Sequence, residues 1–456
     1  MMAIHRKLNP TFTYWRAARL SSFQIGSAMG DILVTSIWNR VMISNFGIPA
    51  APVSLLIALR YLIAPISLWA GFLSDTKSIF GYRRTPYIWL GRILMIISLP
   101  LLGLSLTLLG VNQSSVLGWA VATISSFLYG IGTLISGSPF LALVRDSAPP
   151  EKQGLAISTV QTSLIVFFAV FGIVFSLWMA VYEEPIFWQM VAATMLLGGF
   201  FWFFAIIGVE KRSNSPANQN VETSTSQPGF SETLRKIWQD RRTRGFFLFL
   251  SLATMSAWIQ DAILEPFGAD VFAMPAGRTT RFNSYWQVAT VIFLVGSMYL
   301  WRKQPPERQG KIASGGLLVM AAGMMLLAIV SLSGLSSLTE MSLFIYGAGF
   351  GLYTFGGLSL MAVMSSDQEA GAYLGLWTIS ILVFKGVGTF LGGALRDLFL
   401  LRIGFPAGLS YALIYSLSAI GLVVAVIVLA QVDVLGFARD MGRTISRTEA
   451  QIAGAD

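Results

Sequence analysis

Apolar runs of about twenty residues recur from Ser21 to Val432, separated by short polar turns. A run of that length crosses the hydrocarbon core of a bilayer as a helix. Lipid offers no partner to a backbone N–H or C=O, so each run must satisfy its own hydrogen bonds, and a helix does so within one segment. Composition agrees: only 12% of the 456 residues are charged and the mean hydropathy is +0.68, whereas a soluble domain carries about 25% charged residues. The chain is expected to be an all-α membrane protein with twelve spans, near 21–46, 50–74, 86–110, 117–144, 153–182, 187–209, 245–269, 281–301, 312–335, 338–364, 370–395 and 406–432.

Charge sets the expected orientation. Most of the 31 Lys and Arg lie in segments that twelve spans place on one side: the N-terminal arm, 75–92, 145–152, 211–244, 302–311 and the tail. Arg278, Arg281, Arg396 and Arg402 fall on the other side. The positive-inside rule then puts both termini in the cytoplasm, and the net charge of +9 needs no nucleic-acid partner. The opening MMAIHRKLNPTFTYWRAARL is basic and aromatic and shows no small-residue cleavage site. The stretch SNSPANQNVETSTSQPGFSET at 213–233 is polar and reads as a linker. The expected organisation is an arm (1–20), a six-helix half (21–210), a linker (211–244), a second six-helix half (245–433) and a tail (434–456).

The halves resemble each other. FLYGIG at 127–132 matches FIYGAG at 344–349, with Gly154 and Gly371 at the same offset. MGDILVTSIWNRVM in span one resembles IQDAILEPFGADVF in span seven when Asp31 is laid on Asp261, which sets Arg40 against Asp270. Parallel six-helix repeats are the pattern of the major facilitator fold. Between spans two and three, GFLSDTKSIFGYRRT holds Gly71, Asp75, Gly81, Arg83 and Arg84, similar to the loop signature of that superfamily with two extra residues between the Asp and the second Gly. Gly71 would let helices approach closely, and Asp75 would hold a cytoplasmic gate through Arg83 or Arg84. A plain positive turn is the alternative. The corresponding loop of the second half, WRKQPPERQGK, lacks the Asp.

Ionisable residues inside a span are costly and mark function by default. Here they are Asp31, Arg40, Arg60, Asp261, Glu265 and Lys385, on spans one, two, seven and eleven. Asp261 or Glu265 is expected to pair with Arg40, Arg60 or Lys385. Such pairs would serve helix packing or a proton- or ligand-coupled site. Pro266 and Gly268 should end or kink span seven just after Glu265. With no Cys and a single His, His5, no thiolate or His metal site and no catalytic triad is expected, and no enzyme motif is present.

WNRVMISNFGIPA (38–50), SDTKSIFGYRRTPYIWLG (74–91) and WIQDAILEPFGADVFAM (258–274) resemble the PucC-like family, also called the bacteriochlorophyll-delivery or LhaA-type family, within the major facilitator superfamily. The resemblance implies an assembly factor for light-harvesting or photosystem complexes in a photosynthetic membrane. Such a factor would handle or deliver chlorophyll or bacteriochlorophyll. The implied partners are antenna or photosystem subunits and lipid, with chlorophyll synthase or insertion machinery as further candidates. A proton-coupled transporter of small solutes and a pigment-free scaffold are the competing readings. Because His5 lies in the arm, pigment magnesium would take an oxygen ligand, from Asn39, Gln260, Glu265, a backbone carbonyl or water, or pigment would bind in a lipid-facing groove with no dedicated ligand.

Overall fold

The computed structural model describes residues 14–149, 152–210, 212, 230–301, 306–365 and 370–440. His5, the tail beyond 440 and most of the linker lie outside the described residues. The described chain is almost wholly helical, and the expected spans appear as helices. Span one is α1 (Tyr14–Ile32), continued by wide π-helical turns at Leu33–Trp38 and Val41–Asn45. Span two is α2 (Ala50–Leu62) and α3 (Pro65–Thr76). Then follow α4 (Thr85–Val111), α5 (Val116–Asp146) and α6 (Gln153–Trp178). Span six is α7 (Glu184–Ala193) and α8 (Gly199–Ile206). A short α9 (Phe230–Gln239) precedes span seven, which is α10 (Arg241–Trp258) and α11 (Leu264–Phe272). The rest are α12 (Ala276–Trp301), α13 (Pro306–Ser333), α14 (Thr339–Val363), α15 (Ala370–Arg396), α16 (Ala407–Ala430) and α17 (Val434–Asp440). Among the described residues, nine helices are long and apolar enough to cross a membrane.

The chain forms two compact units. One comprises Met1–Val34, Pro65–Phe171 and Glu184–Glu222; the other comprises Thr35–Ala64, Gly172–Glu183 and Thr223–Asp456. The division cuts span two at Pro65, whose missing N–H interrupts the helix ladder. Packing within the first unit repeats within the second. In the first, α1 packs on α8, α4 on α5, and α3 on α5; in the second, α10 packs on α16, α13 on α14, and α12 on α14. Two of these contacts are matched glycine by glycine. A Cβ on Gly132 of α5 would lie 2.5 Å from the Gly91 carbonyl, and one on Gly349 of α14 would lie 2.6 Å from the Gly316 carbonyl. Gly132 and Gly349 are the last residues of the two matching hexapeptides. Without a hydrophobic drive between helices in lipid, close backbone contact at small residues supplies much of the packing.

Span seven breaks earlier than the sequence suggests. Residues 259–263 form turns, and Pro266 sits in the first turn of α11, where its missing N–H needs no intrahelical partner. Helix then continues past Gly268 to Phe272. Pro266 cannot donate to the Ala262 carbonyl four residues back. Asn39 Nδ2 takes that carbonyl instead, at 2.7 Å. The regular α-helix of span one ends at Ile32, directly after Asp31; that of span seven ends at Trp258, just before the aligned Asp261.

Candidate functional site

The loop between α3 and α4 is a built structure. Ile79 and Tyr82 exchange backbone hydrogen bonds of 2.9 and 3.0 Å, with Phe80 at φ 54° and Gly81 at φ 82°. Two positive φ values in a two-residue loop make a hairpin-type turn, which absorbs the two extra residues of the motif. The Glu210 carboxylate caps α4. It accepts from the backbone N–H of Arg83 (2.6 Å), Arg84 (3.1 Å) and Thr85 (2.8 Å) and from the Thr85 hydroxyl (2.6 Å). The Arg84 side chain is buried and its Nε donates to Asp146 Oδ2 at 2.8 Å, while Arg83 is exposed. Asp75 lies in the last turn of α3, and its side chain is outside the described residues. A Cβ on Gly71 would meet only Ser138 Cβ at 3.5 Å, so ordinary contact, not unusual closeness, prevails there. Asp146 and Glu210 were not singled out from sequence. Their partners lie 62 and 125–127 residues away, beyond any local pattern.

In the first unit, Asp31 Oδ1 accepts from the Tyr129 hydroxyl at 2.7 Å. Beside it is Arg92, read from sequence as a loop-end charge but buried at 4% exposure. Its guanidinium carbon lies 4.3 Å from the Phe23 ring and 4.9 Å from the Trp202 ring. Nη1 donates to Ser27 Oγ at 3.3 Å and approaches Met95 Sδ at 3.1 Å, and Nε makes no hydrogen bond among the described residues. Gln24 and Gln161 are joined at 3.4 Å. Asp31, Arg92, Ser27, Gln24 and Gln161 line a cavity of about 180 Å³ together with Thr133, Gly137 and Phe140.

The second unit gathers the other intramembrane charges in a tight core. Arg40 donates to Thr279 Oγ1 (3.0 Å), the Met274 carbonyl (2.9 Å) and Asn45 Oδ1. Glu265 is 1% exposed; its Oε1 accepts from Asn283 Nδ2, which also donates to Ser36 Oγ at 2.7 Å, and its Oε2 has no hydrogen bond among the described residues. Asp261 Oδ2 accepts from Thr389 at 3.0 Å. Lys385 Nζ sits 3.3 Å from the Trp258 ring centroid and 4.5 Å from that of Tyr61, and Arg60 donates to the Tyr61 hydroxyl. The expected pairing differs from what forms. Among the described residues, neither Arg40 nor Lys385 makes an ion pair with Asp261 or Glu265, because amides, hydroxyls, carbonyls and aromatic faces reach the charges first.

The ion pairs of this unit lie elsewhere. Arg396, placed by sequence on the outer side, is 5% exposed and binds Asp270 Oδ2 at 2.6 Å and Asp397 Oδ1 at 3.2 Å. Tyr411 also donates to Asp270, at 2.7 Å. Asp397 in turn caps α2, accepting from Ala50 N (2.8 Å) and Ala51 N (2.7 Å). Asp270, aligned with Arg40 in the repeat, thus has Arg396 as its partner. No group of three or more His, Cys, Asp or Glu among the described residues is arranged to hold a metal ion.

Residues 37–437 match the family described as "PUCC protein". The chain is 30% identical to "Protein PucC" of Rhodovulum sulfidophilum over 84% of its own length and 85% of that protein. It is 26% identical to "Bacteriochlorophyll synthase 44.5 kDa chain" of Rhodobacter capsulatus, over 91% and 94% of the two lengths. Among solved structures it resembles a POT family transporter bound to a thioalcohol-conjugated peptide, with TM-score 0.68, 13% identity and 91% and 96% coverage. It also resembles a mutant of the nucleoside transporter NupG, with TM-score 0.65, 12% identity and 92% and 100% coverage. At such identities these likenesses speak to fold alone, and the fold is of the major facilitator type. With a family match across 37–437 and a 30% identical relative covered over most of its length, the chain belongs to the PUCC family.

Proposed function

We propose that this protein is an assembly factor for light-harvesting or photosystem complexes, handling or delivering (bacterio)chlorophyll while pigment-binding subunits are inserted. The family match over 37–437 carries the reading, and a relative named as a bacteriochlorophyll synthase chain supports the pigment chemistry. In this reading the protein resides in a photosynthetic membrane with both termini cytoplasmic, meets antenna or photosystem subunits, and performs no covalent catalysis of its own.

The donor chemistry of the three candidate ligands suits magnesium, a hard ion that accepts oxygen. Asn39 Oδ1, Gln260 Oε1 and Glu265 Oε2 all have no hydrogen bond among the described residues. The packing does not suit a macrocycle: these residues are 0%, 2% and 1% exposed. A better receptor is the groove of about 710 Å³ between the ends of α13, α14 and α16 and the start of α17. It is lined by Leu318, Leu360, Leu429, Val432 and Leu435, with Lys311 and Asp433 at hand. Its size is that of a ligand pocket, and covering apolar pigment surface there gains roughly 25 cal/mol per Å² without an axial ligand.

The test is the absorbance spectrum of the gently solubilised protein. The proposal expects a chlorophyll or bacteriochlorophyll spectrum that survives His5→Ala and is largely lost in Gly315→Trp. A Cβ at Gly315 would meet nothing within 4 Å, so the indole has room to enter the groove. Pigment-free protein with proton-coupled solute uptake in proteoliposomes would establish the transporter reading. Antenna subunits co-purifying without any pigment would establish the scaffold.

A further inference from the structure

The cavity of the first unit is of a different scale from the groove. At about 180 Å³ it is well below the ~300–1,000 Å³ of drug-sized ligand pockets, so a tetrapyrrole is excluded and a solute of a few heavy atoms is admitted. Half of the residues that line it are polar: Arg92, Asp31, Gln24, Gln161, Ser27 and Thr133. Arg92 is nine-tenths buried or more, held between two aromatic faces, and keeps an unpartnered Nε. Burying a guanidinium is expensive, and a group retained at that cost in the wall of an open space points to an acceptor that occupies that space.

Charge balance narrows the class. A simple anion drawn to Arg92 would also face the Asp31 carboxylate, and a simple cation drawn to Asp31 would face Arg92. A solute carrying both charges meets each with its complement. We propose that the Arg92–Asp31 cavity binds a small amphoteric solute, its carboxylate on the Arg92 guanidinium and its ammonium on Asp31. Tyr129 holds the Asp31 carboxylate in place, and the Gln24 and Gln161 amides complete the polar wall. The assignment is independent of the pigment reading, since it uses no residue of the groove.

The full chain, purified in mild detergent, would be heated with β-alanine, propionate or propylamine while tryptophan fluorescence is followed. β-Alanine is expected to raise the unfolding temperature in a saturable way, by a few degrees, with the two single-charge probes much weaker. Arg92→Gln and Asp31→Asn should each weaken the β-alanine response by about ten- to a hundredfold, as loss of a charge-assisted hydrogen bond does. Either change could compromise folding, so Gly137→Leu supplies the second arm. A Cβ at Gly137 meets nothing within 4 Å, and the side chain fills the cavity while leaving both charges intact. It should abolish the response in a folded protein. No stabilisation by β-alanine, an equal response to propionate alone, or an undiminished response in Gly137→Leu would overturn the proposal.

Discussion

The two halves of the repeat place matching residues in opposite surroundings. Tyr129 and Tyr346 occupy the same position of the matching hexapeptides. Both are buried, but Tyr129 donates to Asp31, which lines an open cavity, whereas Tyr346 donates at 2.7 Å to the Ala257 carbonyl, next to the break in span seven. One arrangement leaves charges facing free volume; the other uses its side chains to satisfy an interrupted backbone. Sequence repetition therefore preserves helix packing, and the site chemistry follows from how each neighbouring span leaves the regular helix: by wide π-helical turns after Asp31, by a break before Asp261.

The largest expected effect tests the closed region. Arg396→Met would remove the buried cation that Asp270 and Asp397 share, leaving them only Tyr411 and the Ala50 and Ala51 N–H groups, and should cost about 3 kcal/mol. Thermal unfolding in detergent measures it, and the double variant with Asp270→Asn should lose less than the two single losses together. Strict additivity would show that the pair is not coupled.

Next comes the shared packing. Gly132→Ala and Gly349→Ala each push a methyl group onto a backbone carbonyl, at 2.5 and 2.6 Å. Each should cost about 1–3 kcal/mol, and the two costs should agree closely. A large cost in one half and none in the other would break the comparison at its foundation.

The tyrosines should then behave differently. In Tyr346→Phe the Ala257 carbonyl loses its buried donor, for about 1–3 kcal/mol. In Tyr129→Phe water in the cavity replaces the phenol at Asp31, and the cost should fall below about 1 kcal/mol. Equal losses would mean that the cavity gives Asp31 no such access.

The smallest stability effect belongs to the loop between α3 and α4. Asp146 is 44% exposed, so solvent screens its contact with Arg84, and Asp146→Asn should cost about 0–1 kcal/mol. Asp75→Asn should likewise leave abundance near normal while lowering the yield of assembled pigment complexes. A fully active Asp75→Asn variant would remove this loop from the mechanism.

Much of this was legible in the residues. Period and length gave the helices, because lipid forces each apolar run to close its own hydrogen bonds. The matching hexapeptides announced the repeat, whereas the contacts of their last glycines with Gly91 of α4 and Gly316 of α13 came from the packing. Arg83 and Arg84 were visible as a gate motif, yet their roles were not: one is exposed and the other is buried against Asp146. Arg92 was counted with the loops because distance from a helix end is all a sequence records, and nothing local signals that Phe23 and Trp202 enclose it.

What the sequence determined alone is the membrane-spanning all-α class, the repeat and the family, since each rests on local pattern or on likeness along the chain. What only the tertiary structure decided is the partner of each charge. Asp397 caps a helix that begins 347 residues earlier, and Asn39 completes a carbonyl 223 residues away that Pro266 leaves open. The physical reason is that a buried charge or carbonyl is met by whichever polar group the packing brings within about 3 Å, and that neighbour is set by helix contacts rather than by spacing along the chain.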